Sequence, residues 1–197
     1  MNTTGLEGVW DAVGGHVAGG GLTVVAVDGR SGSGKTHFAG LLRSHAAAAL
    51  DVGVEEVGLV AVEDLYAGWS GLPAAPALLD WCILRPLRAG AARVTWPQWD
   101  WAAGRYGSSG TLERPRSGLL LVEGVGASVP PARDGVDHVV WLEAPVPARR
   151  QAVRRREAAL LGRDGTDAWW PGWAAAEDHL FTDHPPEWDQ RIVREAP

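Results

Sequence analysis

The stretch VVAVDGRSGSGKTHFAGLL, residues 24–42, limits what this chain can fold into more than any other segment. A β-branched apolar run breaks into GRSGSGKT, residues 29–36, and passes at once into residues suited to a helix. The spacing is G-x-x-x-x-G-K-[ST], in the strand-to-helix setting that such a loop requires. Glycines there permit positive φ and close approach of an anion to the backbone. Successive N–H groups then form a nest, and the helix N-terminus adds a favourable dipole. Lys35 is the only lysine among 18 basic residues, the rest being arginine. A lone lysine in so arginine-rich a chain marks a place that needs a compact, mobile ammonium, where a planar guanidinium would not fit.

Gly29, Arg30, Ser31, Gly32, Ser33, Gly34, Lys35, Thr36 and His37 are therefore expected to hold the phosphates of a nucleoside triphosphate, taken as ATP. Lys35 would reach the β- and γ-phosphates and Thr36 would offer its hydroxyl to Mg²⁺. The motif leaves open whether the phosphoryl acceptor is water, a metabolite or a protein.

The rest of the chain alternates strand-like and helix-like runs. LTVVAV (22–27), VGLVAVED (57–64), GLLLVEG (118–124) and DHVVWLEAP (137–145) read as strands buried on both faces, and QRIVRE (190–195) as a last strand. Helices are expected over 6–18, 35–50, 75–90 (kinked or ended near Pro86), 145–162 and 172–181. Residues 92–107 have β-character with a turn, and 108–115 read as loop. The pattern and the loop together predict an α/β fold of the P-loop NTPase type, with a doubly wound, mainly parallel sheet flanked by helices. One domain over 1–197 is expected, with a phosphate-loop unit at 22–50.

Bulk composition narrows the partners. The net charge is −6, which argues against a nucleic-acid or anionic-membrane surface. Cys82 is the only cysteine, so no intramolecular disulfide or cysteine zinc cluster can form, which suits a cytoplasmic location. No apolar run is long enough for a membrane span, and no signal peptide is read at the N-terminus. His16, His37, His45, His138, His179 and His184 show no metal-ligand spacing.

Ligands of such sheets sit beyond the carboxyl ends of the strands. Two predicted strands end on acids, at Glu63-Asp64 and at Glu123. In-line phosphoryl transfer needs one carboxylate near the metal and one that orients or deprotonates the acceptor hydroxyl. Glu123 is assigned to the metal with Thr36, Asp64 to the acceptor, and Glu63 to a structural role on the opposite face. Asp28 could bond loop amides, hold metal-bound water or cap the turn.

VDGRSGSGKT, then VEDLY, WPQWDWAAGRYG, LLVEGVG and an arginine-rich helix, in that order, resemble the uridine kinase and phosphoribulokinase-like group of P-loop kinases over about residues 22–165. The resemblance implies an acceptor-binding region at 64–116 and a lid helix at 145–170, with a catalytic set of Lys35, Asp64, Glu123 and the lid residue Arg154, and with Arg150 also over the ATP phosphates. It implies an acceptor pocket of Asp64, Tyr66, Trp99, Asp100 and Arg105, with Pro97 beside them. This chain departs from the group's pattern at EDLYAGW and at Trp99 and Trp101, and the region after 165 matches nothing specific. The implied activity is transfer of the γ-phosphoryl of ATP to a hydroxyl of a nucleoside-like small molecule.

Eleven tryptophans include Trp69, Trp96, Trp99 and Trp101 near the expected acceptor site, where indoles can stack on a flat ring or simply pack. Asp100 could accept from substrate hydroxyls or shape a turn. Arg149, Arg150, Arg154, Arg155 and Arg156 share one helix, with Arg163 just beyond it. Two rival readings stand beside the kinase: an ATP-binding switch or adaptor without a metabolite, and a nucleoside monophosphate kinase using Arg85, Arg88, Arg93 and Arg105 as acceptor cations. The acceptor, the choice of ATP over GTP and self-association stay open.

Overall fold

A computed structural model describes residues 3–162 and 165–194. Its centre is a five-stranded parallel sheet in the order β2-β5-β1-β6-β7. The strands are β1 (Thr23–Asp28), β2 (Gly58–Ala61), β5 (Leu119–Glu123), β6 (His138–Glu143) and β7 (Gln190–Val193). β1, β5 and the middle of β6 are buried throughout, which is why they read as unbroken apolar runs rather than as alternating ones. β1 lies between β5 and β6, pairing Val27 with Glu123 and Asp28 with Trp141. The phosphate loop thus leaves the sheet at its middle, beside the acid that ends β5.

Helices cover both faces. α1 (Thr3–Ala18) and α2 (Lys35–Leu50) pack Val9, Val13, Phe38 and Leu42 against Val25, Val27, Leu119 and Leu121. The other face carries α3 (Ala75–Leu79), α4 (Arg85–Arg88) and α6 (Thr166–Asp183), which pack Leu79, Ile83, Leu87, Trp173, Leu180 and Phe181 against Val24, Ala26, Leu120, Val122 and Trp141. α5 (Val146–Leu161) follows β6 and ends on Gly162 in the left-handed conformation. Among the described residues no helix is long and apolar enough to cross a membrane.

Four local outcomes differ from the sequence reading. Residues 75–90 stay helical through Pro86 and end at Arg88. The chain widens into a π-turn, Asp80–Leu84, between α3 and α4, accommodating a proline that cannot donate and whose ring crowds the preceding turn. Residues 105–113 are a strand, β4, paired antiparallel with β3 (Arg93–Asp100). RYGSSGTLE carries no clear apolar alternation, and its extended form depends on β3 beside it. β2 stops at Ala61, so Glu63 and Asp64 stand on a 3₁₀ turn, Val62–Leu65, past the strand end. α6 begins at Thr166 rather than 172 and runs through Pro171, because burial of Trp170, Trp173, Leu180 and Phe181 outweighs one missing hydrogen bond. Arg163 and Glu195 lie outside the described residues.

Leu121, fully buried at the centre of β5, offers a direct test of this layering. Leu121→Ala is expected to lower the unfolding free energy by about 2–5 kcal/mol, with an unchanged denaturant slope. Chemical denaturation followed by circular dichroism would measure it.

Candidate functional site

The loop after β1 is built around positive-φ glycines. At Gly32 (φ 80°) a Cβ would collide with the Arg149 carbonyl of α5, and at Gly34 (φ 100°) with the Arg194 guanidinium. The loop is clamped below by Asp28, fully buried, whose carboxylate accepts from Gly29 N (2.6 Å), Gly126 N (3.0 Å), Ser128 N (2.8 Å) and Ser128 Oγ (2.7 Å). Asp28 therefore binds loop amides, tying the loop to the turn after β5. Burial still pushes its carboxyl above the ordinary range against these donors and the Lys35 charge.

Lys35 opens α2 and is 8% exposed. Its Nζ donates to the Arg30 carbonyl at 3.1 Å, closing the loop around the ammonium. Burial pulls its pKa down, while the charges of Glu177, Glu123 and Asp28 hold the proton on. Thr36, next along and exposed, donates its hydroxyl to Glu123 Oε1 at 3.1 Å. Glu123 is buried, and desolvation raises its carboxyl against the pull of Lys35 and Thr36. His37 is exposed on the first turn of α2. Among the described residues no three His, Cys, Asp or Glu side chains gather as a metal cluster. Thr36 with Glu123 is a sparse oxygen pair, which suits a small hard cation that keeps water and phosphate oxygens as its other ligands.

On the acceptor side the structure revises several roles. Tyr66 is buried, with its hydroxyl donated to the Val125 carbonyl (2.8 Å) and its ring 5.2 Å from that of Trp173. Burial and the nearby charges of Asp28, Glu63, Glu123 and Glu177 raise its phenol well above its ordinary value, so Tyr66 is a neutral wall. Glu63, assigned above to a structural role, lies close enough to Glu123 and Tyr66 for its charge to act on both. Asp64 is half-buried and has no hydrogen-bond or ion-pair partner among the described residues. Asp100 accepts from Ala102 N and Ala103 N, both at 2.9 Å, so it shapes the β3–β4 turn. Arg105 faces Asp100 across that turn and is exposed. Trp99 meets Tyr106 edge-on at 5.1 Å and faces Gly68, while Trp96 is buried over Gly110 as packing.

The lid arginines also divide differently. Arg150 and Arg154 both bind Asp167 of α6, which staples α5 to α6. On the other side of α5, Arg149 is buried and donates to the Ser31 carbonyl at 3.1 Å. The charge of Arg156, two turns on, acts on both Lys35 and Glu123. The i, i+7 spacing of Arg149 and Arg156 was visible in the sequence; which side of α5 faces the loop was not. Arg85 binds Asp80, Arg88 binds Asp137 and the Leu22 and Gly135 carbonyls, and Arg93 lies against Glu113, so these three serve packing away from the loop.

Sequence reasoning missed the α6 contribution altogether. Trp173 Nε1 donates to Ser31 Oγ (2.7 Å) and Glu177 Oε1 accepts from Ser31 N (2.7 Å), while Arg30 pairs with Asp178. The only advance signal was Trp173 and Glu177 at i, i+4 on a helix with no assigned role. Beside it, Trp69 stacks on Trp169 (4.5 Å) and meets Trp101 (5.0 Å) and Trp173 (5.9 Å), joining the hairpin to α6.

Two stability effects follow. Asp28→Ala strands the Gly126 and Ser128 amides, and a loss of about 3 kcal/mol or more is expected in denaturant unfolding. Glu123→Gln should act the other way. A carboxyl raised by folding binds its proton more tightly in the fold, so its contribution falls as pH climbs past the unfolded value through the raised one. Glu123→Gln is thus expected to raise the Tm at pH 7, with the gain fading towards pH 4; thermal scans across that range test the sign.

No protein-family model matches the chain, and no curated protein matches it in sequence. Solved structures do match. A possible uridine kinase from Bacillus stearothermophilus superposes with a TM-score of 0.62 at 20% identity, over 93% of this chain and 98% of that one. A candidate fructose transport system kinase from Silicibacter sp. TM1040 gives 0.59 at 16% identity, over 88% and 90%. The YGR205w protein gives 0.61 at 9% identity, over 97% and 94%. At these identities it is the architecture that is shared, a parallel sheet flanked by helices in the P-loop NTPase fold.

Proposed function

We propose that this protein is an ATP-dependent small-molecule kinase, moving the γ-phosphoryl to a hydroxyl of a nucleoside-like metabolite. The observation that carries the reading is the junction of loop and strand end. A buried ammonium lies beneath a glycine loop, and the Thr36 hydroxyl and Glu123 carboxylate meet 3.1 Å apart beside it. Lys35 and the loop amides bind the phosphates. Thr36 and Glu123 would hold Mg²⁺, which supplies charge neutralisation at the phosphates when bound. Arg156, on the side of α5 whose charge reaches Lys35, balances charge on the transferring group.

The acceptor hydroxyl is met at the turn past β2. Asp64, half-buried and with no hydrogen-bond or ion-pair partner among the described residues, takes its proton or orients it. Trp99 and the Trp69 cluster supply flat apolar walls suited to a planar ring. A monophosphate acceptor has less support, because three of its four candidate cations, Arg85, Arg88 and Arg93, are engaged elsewhere, which leaves Arg105. A cytoplasmic location and a small-molecule partner go with this reading.

A panel of nucleosides, sugars and pantothenate-like alcohols, with ADP release as readout, tests it. Acceptor-dependent ADP is expected. Tight MgATP binding with no acceptor in the panel would favour a nucleotide switch instead. Lys35→Arg should lose about 100-fold or more in kcat/KM. Asp64→Asn should lower kcat by about 100- to 10,000-fold with MgATP binding retained.

A further inference from the structure

The element with no assigned role, α6, places a carboxylate inside the phosphate loop. Glu177 is fully buried, roughly 145 residues beyond that loop in sequence. Its Oε1 accepts from Ser31 N at 2.7 Å and from Trp173 Nε1 at 2.8 Å. Its Oε2 is buried and accepts no hydrogen bond among the described residues. The nearest cations to Oε2 are Arg149 Nη1 at 3.6 Å and Arg30 Nη1 at 3.9 Å. Of the carboxylates acting on Lys35, Glu177 has the largest effect.

One loop amide and three cations therefore converge on a single protein anion. That is the arrangement a phosphate oxygen requires of the same groups. A carboxylate with one oxygen short of a hydrogen bond is an expensive thing to bury, and here it lies beside the positive charges of Arg149, Arg30 and Lys35. An arriving polyphosphate supplies a stronger claim on Lys35, Arg149 and the Ser31 amide. Two anions cannot share this low-dielectric corner at small separation without heavy repulsion.

We infer that Glu177 is an internal anion that fills the Ser31 corner of the loop when nucleotide is absent, and that α6 is a latch the triphosphate must displace. The inference rests on the reading of residues 29–36 as the triphosphate site. Displacement of Glu177 carries Trp173 off Ser31 Oγ and disturbs the Trp69–Trp169 stack on the acceptor side. The latch thereby links filling of the nucleotide site to rearrangement where the acceptor is expected.

The experiment is MgATP titration by calorimetry on the wild-type chain and on Glu177→Gln, which keeps the shape and an acceptor for Ser31 N but removes the charge. The variant is expected to bind MgATP at least fivefold more tightly. In the wild-type chain, amide hydrogen exchange over 170–180 should quicken when MgATP binds, a readout that needs no variant. Equal or weaker binding by a folded Glu177→Gln, or exchange over 170–180 that slows or stays unchanged in the wild type, overturns the latch. If the wild-type chain binds and the variant gains nothing, the phosphate-site reading survives and the latch falls. If neither binds MgATP, the phosphate-site reading falls and takes the latch with it.

Discussion

Everything at the carboxyl end of this sheet is arranged around one buried ammonium. Lys35 is more than nine-tenths out of water, and desolvation opposes its charge. Three carboxylates, Glu177, Glu123 and Asp28, favour its charged form against that cost. Each is itself buried and bound by other donors, so the cost of one charge is spread through a network. Asp28 locks the loop to the turn after β5, Glu123 brings the end of β5 to Thr36, and Glu177 brings α6 to Ser31. Removing the lysine would leave three buried acids short of a partner.

The same network explains why an arginine is a poor substitute. The loop closes on the amine through the Arg30 carbonyl, with Ser33 buried and the Gly34 side of the loop covered by the Arg194 guanidinium. A planar fork has no room to turn there. Arginines instead work from outside the loop: Arg149 and Arg194 grip its carbonyls at Ser31 and Ser33. The chain thus separates two uses of positive charge. A compact one lies inside the loop, and extended ones brace it.

Much of this was legible before the structure. The strand–loop–helix unit, the buried strands and the acid at the end of β5 all follow from short-range pattern: unbroken apolar runs, glycine spacing and acids at strand ends. The acceptor region was harder to read. Asp100 and Tyr66 carry polar groups that suit a ligand, yet their partners are backbone atoms, Ala102 N, Ala103 N and the Val125 carbonyl, which no residue type announces. β4 was missed because its extended form depends on β3. Arg150 and Arg154 both pair with Asp167 on the next helix, a partner that no spacing within α5 announces.

The sequence by itself determined that a glycine loop follows a buried strand and opens a helix on a lone lysine, because backbone conformation and nest formation are local. Only the tertiary structure decided what surrounds that lysine. The sheet order put Glu123 next to β1, and packing of α6 on the far face brought Trp173, Glu177 and Asp178 to the loop across more than 140 residues of chain. The physical reason is that a buried charge is balanced by whatever opposite charge the fold brings within a few ångströms. That distance is set by helices packing on a sheet and not by spacing along the chain.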